Sequence, residues 1–230
     1  MICMVIALLF RFQYEKKSNG YMNLQVLEEK EDIGVCKVMN EEEVVEEVYD
    51  HTDVTTFDAL QTQADVIVKV RVQEGVERQM STPLATKTKV SVEAVYKGDI
   101  SKNNGIWIYE PAVFLYDKSQ GYYFYETMNG YQIMQKGQEY IVFLQKLPAN
   151  ENYKKGEEEN NTYLVFNSLY SKYPVLDGKT EALDNARLEG RKEPRYTYGE
   201  VKEQEILANS KKIIESYQKI KQQLRENGFL

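Results

Sequence analysis

Two stretches in the middle of the chain alternate apolar and polar side chains with a period of two, a pattern typical of β-strands with one face on a core. In the first stretch the apolar row consists of Val66, Val68, Val70 and Val72. In the second stretch the corresponding row consists of Thr86, Thr88, Val90, Val92, Ala94 and Tyr96. The second stretch ends at the turn signal Lys97-Gly98. Residues 64–98 therefore predict a sheet, and later segments are expected to pair with it.

Further strand signals follow at intervals. Residues 106–109 predict a third strand, which stops before Pro111 because proline cannot donate to a strand ladder. Residues 113–116 can continue it beyond that break, and residues 122–125 predict either a strand or the tip of a long hairpin. Residues 139–144 are continuously apolar, as expected for a strand covered on both faces. Residues 162–173 predict the last strand, after a charged loop at 148–161.

Helix signals lie at both ends of this region. Thr55, with Asp58 three residues later, predicts the cap of a short helix over residues 57–63. At the other end, apolar residues recur every three to four positions from Tyr198 to Asn227, and Gly228 is a stop signal. We expect this long C-terminal helix either to dock across the sheet or to pair with a partner helix. Residues 40–49 fit a short helix or, nearly as well, a strand.

The composition supports strands and argues against nucleic acid as a partner. The chain of 230 residues contains 18 Tyr and 8 Phe but one Trp, and aromatic side chains suit the half-buried surface of a sheet. The net charge is −7, whereas phosphate binding requires clustered Lys and Arg. Residues 13–58 hold 13 acidic residues against four basic ones. We interpret this acidic segment as a solvated surface, since the ligand spacing of a calcium-binding loop is absent.

The first ten residues, MICMVIALLF, form an uninterrupted apolar run. This run is shorter than the ~20 residues that a membrane-spanning helix requires. Its length fits the core of a secretory signal, although basic residues before it and a small-residue cleavage site after it are missing. We interpret residues 1–12 as the remnant of a signal or membrane anchor. A first strand or a buried N-terminal segment is the alternative.

Four stretches together resemble a known family: residues 63–68, residues 90–98 (VSVEAVYKG), residues 106–109 and residues 136–144 (KGQEYIVFL). They are similar to the OB-fold of netrin modules and tissue inhibitors of metalloproteinases, in the cysteine-poor form of bacterial cell surfaces. The resemblance covers residues 55–176. It implies a mainly β protein with a five-stranded closed barrel, an extracytoplasmic location and non-enzymatic binding.

The domain boundaries follow from these signals. We expect a leader at 1–12, an acidic approach segment at 13–54, the barrel at 55–176, and a linker with the C-terminal helix at 177–230. The resemblance does not carry inhibitor function with it. In the metalloproteinase inhibitors an N-terminal cysteine, tied by a disulfide, approaches the catalytic zinc. Here the two cysteines are Cys3, in the leader, and Cys36, outside the barrel segment.

The residues give no catalytic or metal-binding constellation. His51 is the one histidine, which excludes metal sites built from several histidines and leaves any His-dependent enzyme resting on one residue. Neither cysteine lies in a C-x-x-C pair. The chain has 36 acidic residues, so pairs of carboxylates arise by chance and their spacing assigns no glycosidase role. We therefore predict no catalytic residue, no metal site and no cofactor.

A groove beside the barrel strands is the one candidate binding site in the sequence. Its candidate side chains are aromatic: Trp107, Tyr109, Tyr122, Tyr123 and Tyr125. Aromatic faces can stack on sugars or bases, although in strands they more often serve packing. Lys118 is the one positive charge between Tyr109 and Tyr131, so a nucleic-acid strand would gain little electrostatic attraction.

Two functional hypotheses follow. The first is a non-catalytic module of a bacterial cell surface, secreted or held at the membrane through its N-terminal segment alone, that binds a protein or glycan partner. The alternative is a hydrolase of cell-wall or glycan material that uses paired carboxylates. A weaker third hypothesis is a structural component that oligomerises through its C-terminal helix. The oligomeric state is left open.

Overall fold

A computed structural model describes residues 30–38, 51, 53–76, 78–82, 85–117, 121–148 and 154–230. The predicted leader, most of the acidic segment and the helix or strand predicted at 40–49 lie outside these residues. The described elements are β1 (Gly34–Val38), α1 (Phe57–Gln63), β2 (Val66–Arg71), β3 (Arg78–Thr82), β4 (Ala85–Lys97), β5 (Gly105–Glu110), β6 (Ala112–Asp117), β7 (Tyr122–Met128), β8 (Glu139–Lys146), α2 (Glu157–Asn160), β9 (Thr162–Val165), β10 (Lys172–Pro174), α3 (Asn185–Leu188), α4 (Tyr198–Val201) and α5 (Lys211–Glu226).

Five strands close into a barrel in the order β2, β4, β5, β9, β8 and back to β2. All neighbours in this ring are antiparallel except β5 and β9, which run parallel. The predicted mainly β fold with an OB-like five-stranded closed barrel and a C-terminal helix is therefore confirmed. Strand β3 extends the sheet beside β4, and β10 extends it beside β8. A separate three-stranded sheet has the order β1, β7, β6.

The barrel core is the cluster of buried side chains that includes Val66, Val68, Val70 and Val72. The predicted inward row of the first period-2 run is therefore confirmed, but the second run changes phase. Val70 lies opposite Val92 and Val68 opposite Val95, with register shifts between them. Each β-bulge adds one residue to β4 and reverses the direction of the side chains after it. The prediction that Tyr96 continues the inner row is wrong: Tyr96 is exposed, and Val95 packs against the barrel core.

A second cluster, the outer core, lies on the opposite face of β2 and β8. The outer core consists of Ile67, Ile141 and Phe143 from these strands and of apolar side chains from α1, α5 and the segments beside them. Ile67, which the alternation placed in the polar row, is 1 % exposed. Strand β8 is buried on both faces, as predicted. The C-terminal helix thus docks on the barrel, as one of the two alternatives proposed.

The predicted last strand is divided in two. The segment 166–171 bends between β9 and β10, and the Asn167 side chain stabilises this bend. Its Oδ1 accepts hydrogen bonds from the amides of Leu169 and Tyr170, and its Nδ2 donates to the carbonyl of Val54. Both halves nevertheless pair with β8. The amide of Phe143 donates to the carbonyl of Ser171, while the Phe143 carbonyl accepts from the amide of Phe166.

The predicted helix from Tyr198 to Asn227 is also interrupted. It forms as α4 and α5, and the segment between them makes isolated β-bridges, Gln204 with Lys179 and Ile206 with Tyr131. The amide of Leu207 donates to the carbonyl of Gly130 at 2.8 Å, and Leu207 is buried in the barrel core. Its apolar character therefore reflects packing against the barrel and not a helix face. Similarly, α1 is capped by Thr56, whose hydroxyl accepts from the amide of Ala59, and not by Thr55.

Candidate functional site

The predicted aromatic residues do not form one groove. Trp107 and Tyr109 lie on the outer face of β5, directly opposite Lys89 and Lys87 of β4. Lys87 lies 4.7 Å from the centre of the Trp107 ring and forms an ion pair with Glu158 of α2. Trp107 is 5 % exposed and Lys87 is 7 % exposed. The face of β4 and β5, a surface that OB-folds use for ligands, is thus covered at this point by the β8–β9 connection.

The other three predicted residues belong to β7. Tyr122 is partly exposed, and Tyr123 packs against Tyr116 of β6 with ring centres 4.7 Å apart. Tyr125 is fully buried in the barrel core, and its hydroxyl donates to Gln132. Burial raises the pKa of Tyr125 well above its ordinary value. Tyr125 therefore serves packing and offers no face to a ligand, so it cannot act as the predicted binding residue.

A cleft of about 910 Å³ lies where β10 meets the segment between β7 and β8 and the segment after α4. The lining is mixed: four glutamines and one tyrosine provide neutral polar groups, three side chains are apolar, and the charged groups lie mostly at the rim. The lining residues are Glu31, Gln132, Ile133, Gln135, Gln138, Tyr140, Lys172, Pro174, Leu176, Asp177, Gly178, Lys179, Lys202, Glu203, Gln204 and Glu205. This lining is more polar than the mostly apolar lining of a typical small-molecule pocket, so the cleft suits a polar ligand.

Lys172 is the buried cation of this cleft, with 4 % of its surface exposed. It lies opposite Val142 on β8, so its side chain points to the same face as the barrel core. Its Nζ lies 5.0 Å from the centre of the Tyr131 ring and 5.2 Å from that of Tyr140. The Nζ donates one long hydrogen bond of 3.4 Å to the carbonyl of Glu205. Burial lowers the pKa of Lys172 to about 8 because the charged form has lost its water.

Glu110 is a buried carboxylate inside the barrel, and its charge acts on Lys172. It is fully buried, and its carboxylate accepts hydrogen bonds from the Thr88 and Tyr131 hydroxyls and from the Met134 amide. The buried guanidinium of Arg78 lies 4.0 Å away. Carboxylate and guanidinium therefore balance each other inside the barrel. Burial, with the adjacent Glu110 charge, raises the pKa of Tyr131 well above its ordinary value.

Glu205 forms a similar arrangement on the side of the outer core. Its carboxylate accepts from Lys221 of α5 at 2.6 Å and from the amide of Gly178 at 2.8 Å, and Oε2 lies 2.9 Å from the Tyr217 hydroxyl. Glu205, Tyr217 and Lys221 are all buried. This carboxylate is surrounded by a cation and two other donors, so its role is structural. Its contacts with Lys221 and Tyr217 also hold α5 against the wall of the cleft.

The acidic residues at the rim are paired as well. Glu203 pairs with Lys179, and the hydrogen bond between them lowers the pKa of Glu203. Asp177 pairs with Lys221 and Arg225, and the hydrogen bond from Lys221 lowers the pKa of Asp177. A general acid requires a carboxyl group with a raised pKa. The pKa values of Asp177 and Glu203 are instead lowered, so neither carboxyl group is suited to act as a general acid.

The described residues contain no group of three or more His, Cys, Asp or Glu side chains arranged to hold a metal ion. His51 stacks on Phe166 with ring centres 4.2 Å apart, which is a packing role. Cys36 lies in β1, and Cys3 lies outside the described residues. Among the described helices, none is sufficiently long and apolar to cross a bilayer.

Glu110 and Lys172 are not among the residues predicted from the sequence. Glu110 had a usable signal, because it continues the inward row of Ile106 and Ile108 by the same period of two. An acidic residue at an inward position requires buried partners, and this requirement marks Glu110 as a candidate site residue. Lys172 had a weaker signal, a lysine between two tyrosines in the segment Tyr170–Pro174. Its inward direction depends on the bend that divides β9 from β10, which the residue pattern does not reveal.

Comparison with protein-family models gives no match to this chain, and comparison with curated proteins gives none either.

Proposed function

We propose that the chain is a non-catalytic binding module that holds a polar segment of a protein or glycan partner in the cleft beside β10. The observation that carries this proposal is the cleft itself, since its volume of about 910 Å³ suits a ligand of several sugar or amino-acid units. The half-buried Gln138 provides a neutral amide group, whereas Gln132 is buried and bonded to Tyr125 and to the Val201 carbonyl. Leu176, 69 % exposed, provides an apolar contact at the entrance. An extended polar ligand requires this combination.

The lowered pKa values of Asp177 and Glu203 argue against either carboxyl group as the general acid of a glycan hydrolase. A hydrolase with two carboxylates needs one that stays protonated near neutral pH. Glu205 is buried in the same cleft, but its carboxylate is occupied by Lys221 and by the Gly178 amide. Binding without turnover therefore fits the charge arrangement better than the alternative hypothesis does.

The resemblance to the netrin and metalloproteinase-inhibitor type of module remains part of this proposal, as does a location outside the cytoplasm of a bacterium. The strand order of the barrel and its parallel β5–β9 pair support the resemblance. The apolar run at the start of the chain supports the location.

The proposal is tested by titrating isotope-labelled protein with a panel of oligosaccharides and short peptides while backbone amide resonances are followed. We expect at least one ligand to shift the amides of the cleft, for example those of Gly178 and Gln204. Leu176→Trp, which narrows the entrance, should weaken that ligand about tenfold through lost contact and steric conflict. Tyr116→Trp, at an exposed position of β6, is the matched control and should leave the affinity unchanged.

Two results would contradict the proposal. A ligand weakened by Tyr116→Trp and unaffected by Leu176→Trp would place the binding surface on the β6–β7 sheet. Cleavage of a glycan during the titration would replace a binding module with an enzyme.

A further inference from the structure

The charges around the cleft are paired with one exception. Glu31 is paired with Lys202, Glu203 with Lys179, and Asp177 and Glu205 share Lys221. Inside the barrel, Glu110 faces Arg78. Within the part of the chain that the structure describes, Lys172 is the charged cleft residue with no carboxylate oxygen within 4.0 Å. It therefore contributes a buried positive charge that no described neighbour neutralises directly.

The hydrogen-bonding capacity of Lys172 is also unfilled. An ammonium group has three N–H donors, and the described residues supply one acceptor, the Glu205 carbonyl at 3.4 Å. The two neighbouring tyrosines do not supply a negative charge. Burial raises the pKa of Tyr131 and of Tyr140, so both hydroxyls stay protonated near neutral pH. They offer their ring faces, which attract a cation but leave its N–H groups without acceptors.

We propose that the ligand of this cleft presents an anionic oxygen group, a carboxylate or a phosphate, to the Nζ of Lys172. This inference rests on the proposed function and adds the charge of the ligand to it. An anionic group would fill the two remaining donor positions and neutralise the buried ammonium, and hydrogen bonds between charged groups are the strong ones. The Tyr131 and Tyr140 rings flank the ammonium, and the half-buried Gln138 of the lining would contact the remainder of the ligand.

The paired rim charges limit where this recognition can occur. Lys179 and Lys202 are partly exposed and bound to Glu203 and Glu31, so an anion would first have to displace a carboxylate from either of them. Lys172 requires no such displacement. Its environment is also drier, which strengthens an electrostatic contact relative to one at the rim. The anionic group is thus expected at the base of the cleft and not at its entrance.

The experiment titrates isotope-labelled protein with acetate and with inorganic phosphate, and with acetamide as a neutral probe of the same shape as acetate. Backbone amide shifts of the cleft and the side-chain resonances of Lys172 are followed. We expect acetate or phosphate to bind the cleft, and acetamide to bind at least tenfold more weakly. The two anions separate the carboxylate source from the phosphate source.

Two variants with the same loss of charge complete the test. Lys172→Met, which removes the ammonium and keeps a chain of similar length, should reduce anion affinity about 10–100-fold. Lys102→Met removes an exposed cation from the β4–β5 connection, outside the cleft lining, and should change the affinity less than about threefold, because exposed charges are screened by salt. Thermal unfolding of both variants verifies that they are folded.

Several outcomes would overturn the inference. Equal loss of affinity in the two variants would indicate attraction by the overall charge of the protein. Equal binding of acetate and acetamide would indicate that the cleft does not distinguish an anionic ligand from a neutral one. Neutral saccharides or peptides that bind the cleft while no anion does so would overturn the inference and leave the proposed function standing. If neither neutral ligands nor anions shift the cleft resonances, both proposals fail.

Discussion

The barrel core and the outer core lie on opposite faces of the same two strands, β2 and β8. The buried carboxylate beside the barrel core is paired with a cation from a strand, whereas the one beside the outer core is paired with a cation from a helix. Inside the barrel, Glu110 and the Arg78 guanidinium are enclosed by strands and by the Tyr131–Met134 segment. Beside the outer core, Glu205 is held by the helix residues Lys221 and Tyr217. Lys172 interacts electrostatically with both carboxylates but forms an ion pair with neither, and its hydrogen bond to Glu205 goes to the backbone carbonyl. The buried carboxylates Glu110 and Glu205 are thus each paired with a cation, whereas the buried ammonium of Lys172 at the base of the cleft has no paired carboxylate among the described residues.

The largest expected effect concerns the charge inside the barrel. Glu110→Gln keeps the shape of the side chain but leaves the buried Arg78 guanidinium without its carboxylate. Breaking one partner of a buried pair is expected to lower the free energy of unfolding by about 4 kcal/mol. Urea denaturation measures this loss. Glu93→Gln, on the outer surface of β4, is the control and should cost less than about 0.5 kcal/mol. Equal stability of the two variants would show that the barrel tolerates a buried guanidinium without its carboxylate.

An effect of opposite sign is expected at Lys172. Its pKa of about 8 in the folded state lies below the ordinary lysine value, so the folded state carries the cost of a buried charge at pH 7. Lys172→Met removes that charge and is expected to raise the free energy of unfolding by about 2 kcal/mol at pH 7. Denaturation of both proteins at pH 7 measures the gain.

The same lysine predicts a dependence on pH. Below pH 8 both folded and unfolded chains hold the Lys172 proton, and the full cost is present. Between pH 8 and the unfolded pKa near ~10.4 the unfolded chain alone holds it, so the stability of the wild type rises with pH. The buried tyrosines have raised pKa values and act in the other direction above pH ~10, so the measurement spans pH 7 to 9.5. The advantage of Lys172→Met should shrink across this range. A constant difference would contradict the lowered pKa.

The smallest expected effect tests how α1 begins beside the outer core. Thr56→Ala removes the hydroxyl that accepts from the Ala59 amide, and loss of such a cap costs about 1 kcal/mol. Thr55→Ala is the matched control, because Thr55 is exposed and precedes the cap by one residue; it should be close to neutral. Thermal unfolding of the two variants compares them directly. A greater loss for Thr55→Ala would mean that the helix begins where the sequence pattern placed it.

The sequence predicted the barrel because alternation at period two is a local property of each strand. It failed where one extra residue changed the phase, as at the bulges that bring Val95 inward and leave Tyr96 exposed. It also failed where an apolar residue served packing outside a helix, as Leu207 does. The cleft was not predictable in the same way. It is assembled from segments far apart in the chain, and the character of Lys172 depends on neighbours that come together only after the barrel closes.

Phe143 uses its amide for Ser171, on the way into β10, and its carbonyl for Phe166, just beyond β9. The backbone of a single residue therefore links the closure of the barrel to the strand that carries Lys172. A molecule that immobilises the Lys172 side chain would slow amide hydrogen exchange at Phe143 and, through it, at Phe166, on the far side of the bend. In this way occupation of the cleft would be detectable in the exchange rates of residues that never touch the bound molecule.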